Sequence, residues 1–135
     1  VLDTNAIAHW PQAMQDELQG SFDNGCVGSR LVSETERLRV WHLTLKPGER
    51  IGFHRHVLDY FWTVMTDGSA RSNYNDGRTT VTHYKAGDTR HYTFGAGEYM
   101  MHDLENVGTT TLVFTTVEHF ESANRPLPVP DNVRG

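Results

Sequence analysis

The sequence predicts an all-β chain, with antiparallel strands forming a sandwich or barrel behind one short N-terminal helix. Three observations carry this. Strand-length runs recur with turn residues between them, at Pro47-Gly48, Asp67-Gly68, Asn75-Asp76-Gly77, Lys85 to Asp88, Gly95-Ala96-Gly97 and Gly108, a punctuation typical of all-β domains. Within the runs the residues alternate: from Leu38 to Leu45, the set Arg39, Trp41, Leu43 and Leu45 is more apolar than the set Leu38, Val40, His42 and Thr44, as expected of a half-buried strand. Only one segment has helix punctuation. In HWPQAMQDELQG, Pro11 sits near the first turn and Gly20 just past the end, the usual asymmetry of helix termini.

Residues 1–28 read as a lead-in. Ala13, Met14 and Leu18 supply the apolar side of the helix, and the stretch from Ser21 to Gly28 is short and glycine-rich. Strands are expected over 31–33 and 38–45, separated by the charged Glu34, Glu36 and Arg37, and then through the segment holding His54 and His56. Further strands are expected over 60–66, 70–74, 78–84, 90–94, 99–105 and 110–120. The strands over 70–74 and 78–84 flank Asn75-Asp76-Gly77, a strong hairpin signal because glycine, Asn and Asp accept positive φ. Residues 121–135 hold Pro126, Pro128 and Pro130, a spacing that prevents regular ladder pairing. It favours an extended arm lying on its own barrel or on a second subunit. At 135 residues the whole chain, 1–135, is expected to be a single domain.

Composition excludes several functions. A formal net charge of −5 with no block of Lys or Arg argues against nucleic acid or an anionic membrane as partner, and the apolar runs are strand-length rather than span-length. No secretory leader is recognised in the sequence as it stands, and a chain starting at Val1 is expected to lack some preceding residues. One cysteine, Cys26, cannot form an internal disulfide, which suits a reducing cytoplasm. A small-molecule ligand is the default expectation.

The chemistry centres on Gly48 to Gly68, GERIGFHRHVLDYFWTVMTDG, where His54 and His56 stand two apart in an extended run. Alternate residues of a strand face the same way, so both imidazoles present nitrogen to one side, as a metal site needs. An isolated pair is more simply a packed one; a third histidine, His102 in GEYMMHDLENVG, changes the balance. In these residues the sequence resembles the cupin superfamily. Gly48, His54, His56 and Gly68 fill its first motif, and Gly87, His102 and Asn106 fit the ends of its second. FHRHVLDYFWTV, GDTRH and HDLENVG are also similar to small bacterial single-domain cupins named for β-alanine degradation. The resemblance spans residues 38–118. It implies a cupin-type jelly-roll barrel, a homodimer, and one divalent transition metal held by His54, His56 and His102, with Fe, Zn, Ni or Mn among those three imidazoles can bind.

The chain departs from the motifs in two ways: the second has extra residues between Gly87 and His102, with Thr93 where proline is usual, and the first lacks its glutamate. The usual glutamate falls on Phe61 or on Tyr60, according to spacing, and neither is a carboxylate. A dication on three neutral imidazoles keeps its full charge, so the expected substrate is a small anion that supplies the missing negative ligand. Glu98 stands at strand parity with Met100 and His102, as a fourth ligand, a general base, or simply a solvated turn residue. Tyr60 offers a proton or steadies an oxyanion, or merely caps the barrel mouth. Arg90 and His91 are candidate carboxylate partners, as is Arg39, and Trp62 and Met100 are candidate pocket walls. The expectation is a small-molecule enzyme, dioxygenase first and a lyase or isomerase on a redox-inert metal second, set against a non-catalytic metal or metabolite binder.

Overall fold

The computed structural model describes residues 2–134. After one helix, α1 (Gln12–Gly20), come β1 (Arg30–Glu34), β2 (Leu38–Leu45), β3 (Arg50–His56), β4 (Tyr60–Val64), β5 (Gly68–Asn73), β6 (Thr79–Tyr84), β7 (Thr89–Tyr92), β8 (Met100–Asn106) and β9 (Leu112–His119). They form two sheets, one of five strands in the order β1-β2-β9-β4-β7 and one of four in the order β3-β8-β5-β6. Every ladder between these strands is antiparallel. Strand 38–45 matches its expected span, whereas the last strand is shorter than expected because side chains and turns take over at its ends: Thr110 Oγ1 donates to the Asp67 carbonyl and Phe120 N to the Arg37 carbonyl. At Gly77 the backbone takes φ +88°, the left-handed conformation that the Asn75-Asp76-Gly77 hairpin demands.

The inner faces of the sheets pack as the alternation predicts. Leu43, Leu45, Val64, Leu104, Leu112 and Phe114 fill one end of the barrel. The outer face of the four-stranded sheet is covered by the lead-in, where Ile7, Trp10 and Leu18 bury Phe53 and Met101. In α1, Leu18 is fully buried and Met14 half-buried, but Ala13 is exposed. The apolar side of this one short helix is therefore narrower than expected, and docking depends on a polar clamp as well. Glu17 accepts two hydrogen bonds from Arg50, at 2.9 and 2.7 Å, and one from Phe53 N at 3.1 Å.

The far end of the barrel is closed by the tail and by a buried ion pair. Val129 and Val133 pack on Val27, Leu31 and Trp41. Leu127 lies so close over Gly25 that a Cβ there would sit 2.7 Å from its own Cβ. The arm thus lies on its own barrel. Beneath it Glu118 Oε1 accepts from Arg39 Nε at 3.1 Å and from Trp41 Nε1 at 2.8 Å, with side chains only 5% and 2% exposed for Arg39 and Glu118. Arg39 is therefore committed inside the protein and is not a substrate partner. Burial pushes the Glu118 carboxyl above its usual range, against the pull of Arg39 and Trp41.

Two outcomes follow. Arg39→Met leaves a buried, unpaired carboxylate and should cost about 3–5 kcal/mol in denaturant unfolding, while Arg39→Met with Glu118→Leu should recover most of it; equal loss in both would contradict this account. The hydrogen bond from Arg50 holds Glu17 below its ordinary 4.5. Its contribution is then full above that pH and is lost as the pH falls through the lowered value. Fluorescence of Trp10 should report helix release in that acidic window, and the Glu17→Gln variant should lose the dependence.

Candidate metal centre

Three imidazoles meet on the inner face of the four-stranded sheet. His54 and His102 are direct partners in the β3–β8 ladder, and His56 lies opposite Met100. The ladder is irregular between Ile51 and His54, a bulge that re-aims the chain. Ile51 packs against the inner core while Phe53 turns outward under α1, which leaves His54 pointing in. The ring centroids of His54 lie 5.0 Å from His56 and 4.6 Å from His102. The donor nitrogens of all three rings lie within 4.8 Å of one another. His56 Nε2 and His102 Nε2 are 3.1 Å apart. Two nitrogens about 2.0–2.1 Å from one cation, at tetrahedral or right angles, are themselves about 2.8–3.4 Å apart. The observed pair fits.

Protonation favours the same use. Burial holds His54 down at about 4; burial followed by the His54 and His102 rings holds His56 well below its usual range, and burial followed by the His54 ring does the same to His102. All three are neutral near pH 7, the form that binds metal. His54 Nδ1 donates to the Gly52 carbonyl at 2.9 Å, which leaves its Nε2 lone pair for a ligand role. This donor set fits a divalent transition metal. Among the described residues it is the one grouping of His, Cys, Asp and Glu with this property.

The cluster opens into a cavity of about 300 Å³. Four of the five tyrosines reach it, Tyr60, Tyr74, Tyr84 and Tyr92. Burial raises the Tyr60 phenol well above its usual range and takes Tyr84 up to about 12, so both stay protonated donors. Trp62 and Arg90 face each other across the β4–β7 ladder and both line the cavity.

The remaining expectations separate by strand parity. Tyr60 is inward and 3% exposed, whereas Phe61 pairs with His91 on the outer face, their rings 5.2 Å apart. His91 is thus away from the cavity. Glu98 is also elsewhere: its carboxylate accepts from Gly95 N and closes its own turn, because β8 begins only at Met100 and the alternation does not run back through the turn. Met100 stands half-buried opposite His56 but outside the cavity lining. Asn106, at the end of the second motif, has a structural task, donating through Nδ2 to the carbonyls of Leu45 and Thr110, both at 2.8 Å. Tyr74, Tyr84, Tyr92, Ser72 and Thr116 were not expected at the site. Inward parity opposite a known inward residue was the available signal for Tyr92 and Thr116, which pair with Tyr60 and Trp62.

No protein-family model matches this chain, and no curated protein does. Solved structures do. A cupin domain from Bordetella pertussis Tohama I is 26% identical, with 64% of this chain and 85% of that one covered and a TM-score of 0.56. An uncharacterised conserved protein with a double-stranded β-helix domain from Klebsiella pneumoniae is 30% identical, over 70% of this chain and 76% of that one, with a TM-score of 0.54. An RmlC-like cupin family protein with a double-stranded β-helix fold from Methanocaldococcus jannaschii, 19% identical over 67% and 76% of the two chains at a TM-score of 0.54, shares the fold. With two antiparallel sheets, both motifs in order and three histidines gathered between them, the chain belongs to the cupin superfamily.

Proposed function

We propose that this cupin is a metal-dependent enzyme acting on a small anionic metabolite, with dioxygen as co-substrate. The observation that carries the reading is a cluster of three neutral imidazoles, His54 and His56 buried and His102 half-buried, with a tyrosine, not a carboxylate, at one of the glutamate spacings. His54, His56 and His102 would hold one divalent cation, which when bound supplies a Lewis acid and, if redox-active, a site for oxygen chemistry. Three imidazoles bring no negative charge, so an anionic oxygen or sulfur of the substrate completes the site. Arg90 pairs with a carboxylate on the substrate, bidentately where geometry allows. The Tyr60 phenol, kept protonated by burial, donates a hydrogen bond to oxygen that gains charge in the reaction. Trp62 forms the wall opposite and helps exclude water.

A second reading is favoured by one observation. The carboxylate lining the cavity is Asp88, and it is engaged in its own turn, accepting from Lys85 N at 2.9 Å. With Glu98 also engaged, the described site lacks a free general base, which suits a non-catalytic binder or chemistry that needs no proton abstraction.

The outer face of the five-stranded sheet supports pairing into a homodimer. Its outward positions on β2, β4, β7 and β9, among them Val40, Phe61, Val113 and Val117, carry no formal charge, and charge depletion marks interface centres.

Untagged protein should carry about one transition metal per chain by elemental analysis, and His102→Ala should lose most of it, since removing one of three ligands opens the site; unchanged stoichiometry would rule the centre out. Protein reconstituted with Fe(II) should consume oxygen with at least one member of a panel of thiols, diketones and amino-acid-derived acids. Uptake of metal without turnover across the panel would favour the binder. Sedimentation should give twice the chain mass, and Val117→Asp should return it to the monomer.

A further inference from the structure

A histidine that binds metal is ordinarily held by a hydrogen bond from its other ring nitrogen, which fixes both tautomer and ring angle. His54 has this bond, to the Gly52 carbonyl. His56 and His102 do not: the Nδ1 atoms of both are buried without a hydrogen-bond partner. Each has an aromatic ring laid against it instead. Tyr60 covers His56 with centroids 4.1 Å apart and planes 15° from parallel. Tyr74 covers His102 more loosely, at 5.5 Å and 26°. Tyr60 is in turn backed by Tyr92 at 4.8 Å and 9° and lies 6.3 Å from Phe94 at 11°. His56 thus ends a run of near-parallel rings and cannot swing about its χ2 bond without driving into the phenol.

We propose that Tyr60 is the positioning residue for His56, with ring stacking doing what the carbonyl of Gly52 does for His54, and that Tyr74 serves His102 in the same way. The inference rests on the metal-centre reading and adds a reason for tyrosine at a position where the motif can place glutamate. The residue contributes no charge to the cation and instead fixes one of its ligands. The chemistry favours this arrangement. An imidazole that gives its lone pair to a dication becomes electron-poor, and the negative face of a phenol attracts such a ring. The hydroxyl is not needed for the role, which separates it from the hydrogen-bonding task given to the same side chain above.

The test compares wild type, Tyr60→Phe and Tyr60→Leu. Zn(II) affinity, read by competition with a chromophoric chelator, should fall about 10-fold or more in Tyr60→Leu, the size of effect seen when a ligand loses its support. Tyr60→Phe should stay within about threefold of wild type, since the ring remains. In metal-free protein the His56 ring protons should give one narrow set of NMR signals in wild type and Tyr60→Phe, and broadened or doubled signals in Tyr60→Leu. Melting temperatures of the metal-free proteins separate lost positioning from lost fold. If Tyr60→Leu does not fold, Tyr74→Leu, read on His102, takes its place. Wild-type affinity and an unchanged His56 signal in Tyr60→Leu would overturn the proposal, as would an equal fall in Tyr60→Phe. Wild type that takes up no Zn(II) would instead remove the metal-centre reading, and the ring signals would still decide whether Tyr60 holds His56.

Discussion

Gathering three imidazoles on one inner wall, two of them buried and the third half-buried, is tolerable only while none of them carries charge. Burial enforces that state here, holding His54 near 4 and the other two well below their normal range. Neutral rings each keep one basic nitrogen, and the Nε2 atoms of His56 and His102 share a hydrogen bond at 3.1 Å; keeping such a cluster uncharged is the organising constraint of the barrel interior. The inner wall around them answers it mostly with neutral hydroxyls and rings; the carboxylate in the cavity lining, Asp88, is engaged in its own turn, and other acidic groups nearby are used up. Asp103 is bound to Arg50 and Asn73 on the outer side of the same strand, and Glu118 is bound to Arg39 and Trp41.

The construction of the site follows from antiparallel pairing with one defect. A regular ladder would put residues of one parity on one face, and Ile51 and His54 are of opposite parity. The bulge between them lets both face inward while Phe53 turns out beneath the helix. It also frees the Gly52 carbonyl to receive His54 Nδ1. One local irregularity thus aims a ring and fixes its tautomer together.

What was legible in the sequence was local. The turn glycines, the strand alternation and the two histidine motifs depend on residues close in the chain, and the strands came out near their expected spans. The choice between Tyr60 and Phe61 was open because two spacings served equally well; pairing with β7 and β9 resolves it, since Tyr60 faces inward with Tyr92 and Glu118. Of the alternatives open for Glu98, the turn residue is the one the structure shows, since strand parity does not run back through the turn before Met100. Arg90 and His91 are neighbours in sequence, and only the cross-strand partner, Trp62 or Phe61, tells which one meets the cavity. The Arg39–Glu118 pair joins residues 79 positions apart, and no periodicity within either segment announces such a partner. Ring stacking around His56 was hidden for the same reason, because it draws on three separate strands and a turn.

The lead-in helix has a consequence for the far side of its sheet. Phe53 and Met101, which Leu18 of the helix buries together with Ile7 and Trp10 ahead of it, are the immediate chain neighbours of His54 and His102, and successive side chains of a strand stand on opposite faces of its sheet. The two imidazoles are thus backed, across the thickness of the sheet, by an apolar contact that nothing entering the cavity can touch.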